Sequence, residues 1–353
     1  MEDSCMQKTR CACIFLLILL LFVMFPGCSS GRWGGGTTVI TGRATGRIYV
    51  ANSLDDSVEV IDARNNTRIS GSPFDTGGEF PAGMALDTSR HRLYVANYTG
   101  RSISVFNTQD MSQAAGSPFP VEQGPYGLAL DESLGRLYAV SPDSSALYVF
   151  DALTMTPIPG SPFAVGETPY TVITVPSRGQ VVVAGSAGGS LTIFDSLTMA
   201  QVPGSPLATT PRPFGLAYDQ DRNVLFVTGL DVRLYDFDSL EQLNGSPLYT
   251  GGGVNKGIAV NPGTRRAWVG VSDKGQVSLF DTGEMKEVAG SPFAFPGSPE
   301  DLAINLDEEL IYAADSSGNQ VRIYSTGMIE AQDSPLSTGS GPRKILLDPG
   351  YGN

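Results

Sequence analysis

The chain has 353 residues, 41% hydrophobic and 17% charged, enough apolar material for a large core and too much for a disordered chain. Acidic residues outnumber basic ones 36 to 23, a net charge of −13, which speaks against a broad nucleic-acid surface because phosphate binding needs clustered Lys and Arg. One His and four Cys starve most metal and nucleophile chemistries, and 42 Gly with 24 Pro demand many turns.

The chain opens on an address. Ile14 to Phe25 is an unbroken apolar run of twelve residues, preceded by Lys8 and Arg10. It is too short for a bilayer-spanning helix, which needs about 20 residues, and fits the apolar region of a signal peptide. Phe25-Pro26-Gly27-Cys28 follows. A Cys directly after that small residue resembles a bacterial lipobox, and the resemblance implies cleavage after Gly27 and lipidation of Cys28. Ordinary cleavage and an uncleaved anchor are the other readings of the same leader. Cys5, Cys11 and Cys13 precede the cut and no Cys follows Cys28, so the mature fold has no internal disulfide and no thiolate metal site. The reading is therefore a leader over 1–27, a Gly/Ser-rich tether over 28–37 and one domain over 38–353. It places the protein in the bacterial cell envelope, periplasmic or surface-exposed, touching the membrane only through its lipid.

Self-similarity decides the fold. Ser-Pro-Phe/Leu begins at Ser72, Ser117, Ser161, Ser205, Ser246, Ser291 and Ser334, at spacings of 45, 44, 44, 41, 45 and 43. A second marker lies in an apolar stretch: Tyr49, Tyr94, Tyr138, Val182, Phe226, Trp268 and Tyr312. A third closes the next stretch: Asp62, Asn107, Asp151, Asp195, Asp238, Asp281 and Ser325. Each unit reads as four short strands. In one, Leu128–Leu130, Arg136–Val140 and Leu147–Phe150 are apolar or β-branched runs between Asp-, Ser- and Gly-rich turns, and a more polar fourth strand ends near Phe163. Seven such units predict an all-β, seven-bladed propeller with four antiparallel strands per blade. Pro342–Asp348 repeats the pattern of Pro125–Asp131 with no strands of its own to follow. It is expected to close the ring as the inner strand of the blade whose other strands begin at Arg47. Thr38–Thr41 competes for that slot but lacks the Pro and the Asp.

Tyr49-Val50-Ala51-Asn52 and Tyr94-Val95-Ala96-Asn97, with Val58–Asp62 and Ser104–Asn107 downstream, resemble YVTN-type seven-bladed propeller repeats over residues 46–348. The wider clan implied by the resemblance includes lactonases of the 6-phosphogluconolactonase type, streptogramin lyases, surface-layer proteins and electron-transfer subunits. Its lactonases and lyases use His, Arg and Glu around the central site. Here the single His91 falls in the turn Asp87–Arg92, on the face opposite the mouth, so no catalytic residue carries over.

Other patterns fail. Asp219–Asn223 opens like a calcium loop but has Val224 where Gly is needed and Leu230 where Glu is needed. Gly251–Gly253 with Lys256 lacks the Gly-Lys-Ser/Thr of a phosphate loop. No metal site and no cofactor are expected. The residue after each inner-strand Pro should face the channel mouth: Ala82, Tyr126, Tyr170, Phe214, Lys256, Glu300 and Arg343, spaced 44, 44, 44, 42, 44 and 43 apart. Three aromatics are followed by Lys, Glu and Arg, a mixture suited to a small anion with an apolar or aromatic body. The plainer reading is a channel plugged by aromatics, with Glu300 bridging its two basic neighbours. The expectation is a non-catalytic envelope propeller that binds an envelope or surface protein through its rim loops (Asn52–Ser57, Asn97–Ser102, Ser141–Ala146, Asp315–Gln320), or a small ligand at the mouth. The alternative is a lactonase- or lyase-like hydrolase sited at that mouth.

Overall fold

A computed structural model describes residues 39–40 and 46–348. The expected leader, the lipidated Cys28 and the tether lie outside the described residues. Seven antiparallel sheets follow one another along the chain, each meandering outward from an inner strand. The third blade is typical. Its inner strand Gly127–Asp131 pairs with Arg136–Ser141, which pairs with Ala146–Asp151, which pairs with a two-residue outer strand, Phe163–Ala164. Besides strands, the described residues hold only two single-turn 3-10 segments, Pro176–Arg178 and Ser272–Lys274.

The ring closes at the C-terminus. Pro342–Leu347 pairs with Arg47–Asn52, Ile48 opposite Leu347 and Val50 opposite Ile345. Val39–Ile40 instead runs parallel to the inner strand Pro299–Asn305 of the seventh blade. Each inner strand packs against the next, and Pro342–Leu347 touches both Pro299–Asn305 and Pro81–Asp87, which completes the circle. Asp301 helps at this joint, accepting a hydrogen bond from the Ile345 amide at 3.1 Å and pairing with Lys344 at 2.8 Å.

The core lies between blades. Seven apolar clusters fill the seven joints, and each draws side chains from two adjacent sheets. Every blade is thus covered on both faces, which is why the second and third strands read as nearly continuous Val, Ile, Leu, Tyr and Phe rather than alternating with polar residues.

The Ser-Pro marker has a structural task. The outer strand covers only part of the third strand, leaving amide donors on its outer edge. In all seven blades the Ser Oγ accepts one of them: Ser72 from Val60, Ser117 from Val105, Ser161 from Val149, Ser205 from Ile193, Ser246 from Leu234, Ser291 from Leu279 and Ser334 from Ile323, at 2.8–3.1 Å. The seven Ser-Pro bonds are cis.

One marker is corrected. In the fifth blade Asp236, not Asp238, ends the third strand and pairs with Val224; its Oδ1 receives the turn amides of Asp238 and Ser239. The second and third strands there, Val224–Thr228 and Val232–Asp236, are one residue shorter than those of the other blades. That shortening offsets the register. The fourth strand of this blade shrinks to isolated bridges at Leu248 and Gln242.

Candidate functional site at the channel mouth

The mouth residues are aimed inward by a repeated backbone irregularity. In five inner strands the pairing register skips at the mouth position: at Ala82, Tyr170, Glu300 and Arg343, and across Lys256 and Gly257. A β-bulge leaves its extra residue unpaired and turns its side chain off the sheet. In the other two blades the inner strand begins just after the mouth residue, with the Tyr126 amide on Val140 O and the Phe214 amide on Thr228 O, both at 2.8 Å. Small residues follow most of them. A Cβ on Gly83 would stand 2.2 Å from Tyr126 O, and one on Gly215 2.2 Å from Lys256 O. These glycines let neighbouring inner strands approach closely at the mouth.

All seven ring positions converge on one cavity of about 300 Å³, whose lining also includes Leu216 and Ile258. The aromatics form a wall along one side. Tyr126 meets Tyr170 edge-to-face at 4.9 Å, and Tyr170 stacks on Phe214 at 5.5 Å. Beyond the cavity lining the row of rings continues in two residues that the ring register does not reveal: Tyr98, 5.5 Å from Tyr126, and Phe80, 6.0 Å from Tyr98. Tyr98 donates to Asp143 Oδ1 at 2.7 Å; that bond and burial push its pKa up to about 12. Burial raises the pKa of Tyr126 as well, against the pull of the nearby Arg343.

The charged arc faces this wall. Lys256 Nζ donates to both Glu300 oxygens at 2.7 Å, and Ser272 Oγ donates to Oε1 at 2.8 Å. Glu300 is nearly buried, its side chain 8% exposed. Arg343 lies 3.6 Å from Glu300, donates from Nη1 to Tyr126 Oη at 3.0 Å across the position of the small Ala82, and rests over the Phe80 ring at 5.2 Å. Glu300 thus bridges its basic neighbours, while the aromatics pack along the wall and leave the cavity open. Asp301, Lys344 and Ser272 are further polar contributors that the sequence reading missed.

His91 is half-buried in the turn before Arg92. Among the described residues no group of three or more His, Cys, Asp or Glu could hold a metal ion. The rim loops are tied internally where they leave the strands: Asn97 is buried, with Nδ2 donating to Ser102 and Ser104. Asp315 is buried and accepts from Ser298, Gly318 and Gln320.

Among solved structures the chain is similar to Kuenenia stuttgartiensis hydrazine synthase, at 18% identity with a TM-score of 0.67 over 86% of this chain and 99% of that one. It is also similar to a protein from Lactobacillus plantarum, at 13% identity and a TM-score of 0.70 over 85% and 98%. A third likeness is to a dihydro-heme d1 dehydrogenase, at 11% and 0.58 over 87% and 76%. At these identities the likeness shows the seven-bladed propeller fold alone. No family model matches the chain, and no curated protein matches it.

Proposed function

We propose that this chain is a non-catalytic, lipid-anchored propeller of the bacterial cell envelope, built from YVTN-type repeats, that binds a small ligand at its central mouth. The observation that carries this is the cavity itself: an aromatic wall and a charged arc converge on about 300 Å³ of open space. Small-molecule sites combine apolar walls with a few placed polar groups in this way. The reading is non-catalytic because the lining's amine, Lys256, is held by both oxygens of Glu300 as an ion pair rather than poised as a nucleophile beside a free base. Glu300 is occupied by Lys256 and Ser272, and Ser272 is itself buried and not part of the lining. An envelope or surface protein docking on the rim loops remains compatible with this function. The lipid anchor rests on the leader and Cys28.

Two measurements test the proposal. Labelled fatty acid should enter the wild-type protein in a bacterial host and be absent from Cys28→Ser. A panel of small acids, amines, sugars and lactones, screened by thermal shift and calorimetry, should give at least one saturable ligand that is lost in Phe214→Ala and recovered chemically unchanged. A lactone consumed at the mouth would establish the hydrolase alternative. No ligand in the panel would remove the binding reading.

A further inference from the structure

The two cations of the mouth are not equivalent. Lys256 is spent, with both Glu300 oxygens at 2.7 Å. Arg343 is not. Among the described residues its hydrogen bonding is the single contact from Nη1 to Tyr126 Oη. Its 3.6 Å approach to Glu300 is longer than a hydrogen bond, and its Nε is buried without a partner. Guanidinium presents five N–H donors in a planar fork that matches a carboxylate, so most of this fork remains to be used. Tyr126 accepts the Arg343 bond and so keeps its own hydroxyl proton to give to the same anion.

Charge then limits the ligand. Lys256, Glu300 and Arg343 sum to +1, and the neighbouring Lys344–Asp301 pair at 2.8 Å is neutral. One negative charge balances this mouth, and a second would be repelled by Glu300 with no cation left to meet it. On the opposite side the lining is aromatic: Tyr126 stands edge-to-face against Tyr170, and Tyr170 and Phe214 stack and offer ring faces. The cavity sits at the small end of ligand sites, which span about 300–1,000 Å³.

We infer that the mouth takes a small monocarboxylate with an aromatic body, its carboxylate held by Arg343 and Tyr126 and its ring against Tyr170 and Phe214, with Glu300 as the group that excludes dianions. This rests on the mouth being a binding site, as proposed above.

The test is calorimetry with phenylacetate and indole-3-acetate against matched compounds: phenylacetamide without the charge, phenethylamine with the opposite charge, homophthalate with two negative charges, and acetate without a ring. The two aromatic acids should bind in the micromolar to millimolar range, and each matched compound about tenfold weaker or more. Arg343→Gln should lose the preference for phenylacetate over phenylacetamide, and Arg343→Lys should keep part of it. Glu300→Gln keeps the shape of the side chain, frees Lys256, and should raise homophthalate affinity about fivefold or more relative to phenylacetate. Unfolding midpoints of each variant check the fold; if Arg343→Gln does not fold, Arg343→Lys and Glu300→Gln decide. Equal binding of the amide, tighter binding of homophthalate by wild type, or an unchanged preference in Arg343→Gln overturns the monocarboxylate inference while leaving the mouth a site. So does a panel ligand of another class when neither aromatic acid binds. If nothing in either set binds, both readings fall.

Discussion

The Tyr94 hydroxyl donates to the carbonyl of Ala152 at 2.7 Å, across the joint between the second and third blades. Tyr138 does the same to Ser196 at 3.3 Å, and Trp268 Nε1 to Thr326 at 3.2 Å. In these three blades the aromatic marker therefore grips the residue just past the terminal marker of the next blade. Arg side chains reach turns at the same place in the repeat, Arg92 onto Ala152 and Leu153, and Arg222 onto Thr282. At these three joints the two sequence markers are thus the two halves of one inter-blade contact.

Tyr94→Phe tests that contact. Phe226 fills the equivalent place in the fifth blade without a hydroxyl, so the ring is accommodated there. Ala152 O keeps its Arg92 donor. The expected loss is about 1 kcal/mol, the net worth of one hydrogen bond. It is read as a lower urea midpoint at unchanged slope. No change in midpoint would show that the bond adds nothing to the joint.

Gly215→Ala tests the close approach at the mouth. Gly215 has an ordinary backbone conformation, so the argument is steric alone. Its added Cβ would meet Lys256 O at 2.2 Å and Thr228 Oγ1 at 2.5 Å. Backbone must move, at a cost of about 1–3 kcal/mol. Gly263→Ala, whose nearest neighbour would be Asn261 Oδ1 at 3.5 Å, is the control and should stay within about 0.5 kcal/mol of wild type. Equal stability of the two variants would show that the inner strands have slack.

How much of this was legible in the sequence follows from what repeats. The markers recur at 41–45 residues, so the blade count, the closing strand and the ring from Tyr126 to Arg343 could be read by register. Asp238 was misplaced because the fifth blade has shorter strands, and a fixed spacing cannot detect a local deletion. Phe80 and Tyr98 escaped because they sit outside the ring register, one before Pro81 and one just past the strand Arg92–Asn97. They join the row of rings beside the cavity only because the chain returns to the mouth at both places. The contrast between Lys256 and Arg343 was also hidden, because it depends on side-chain geometry: two bonds of 2.7 Å against one approach of 3.6 Å.

Alkaline pH should unfold the propeller through its tyrosines. Burial first, against the pull of Arg92, raises Tyr94 to about 12, and burial raises Tyr324 to about 12. The Asp143 bond first, then burial, raises Tyr98 to about 12. Unfolded tyrosine ionises near pH 10. A group whose pKa is higher in the folded state holds its proton more tightly there. Its contribution is fully present below about pH 10 and is lost as pH rises through the folded value, about 12. The unfolding midpoint should therefore fall steeply between about pH 10 and 12, and the tyrosinate absorbance of Tyr94, Tyr98 and Tyr324, taken as the difference between wild type and each Tyr→Phe variant, should rise together with the loss of β-sheet circular dichroism rather than before it. Tyr98→Phe removes the Asp143 bond and should flatten part of that slope, with Tyr94 and Tyr324 left to carry the rest. If these tyrosines ionise near pH 10 while the sheet signal is intact, they are not held as the inter-blade joints and the mouth place them.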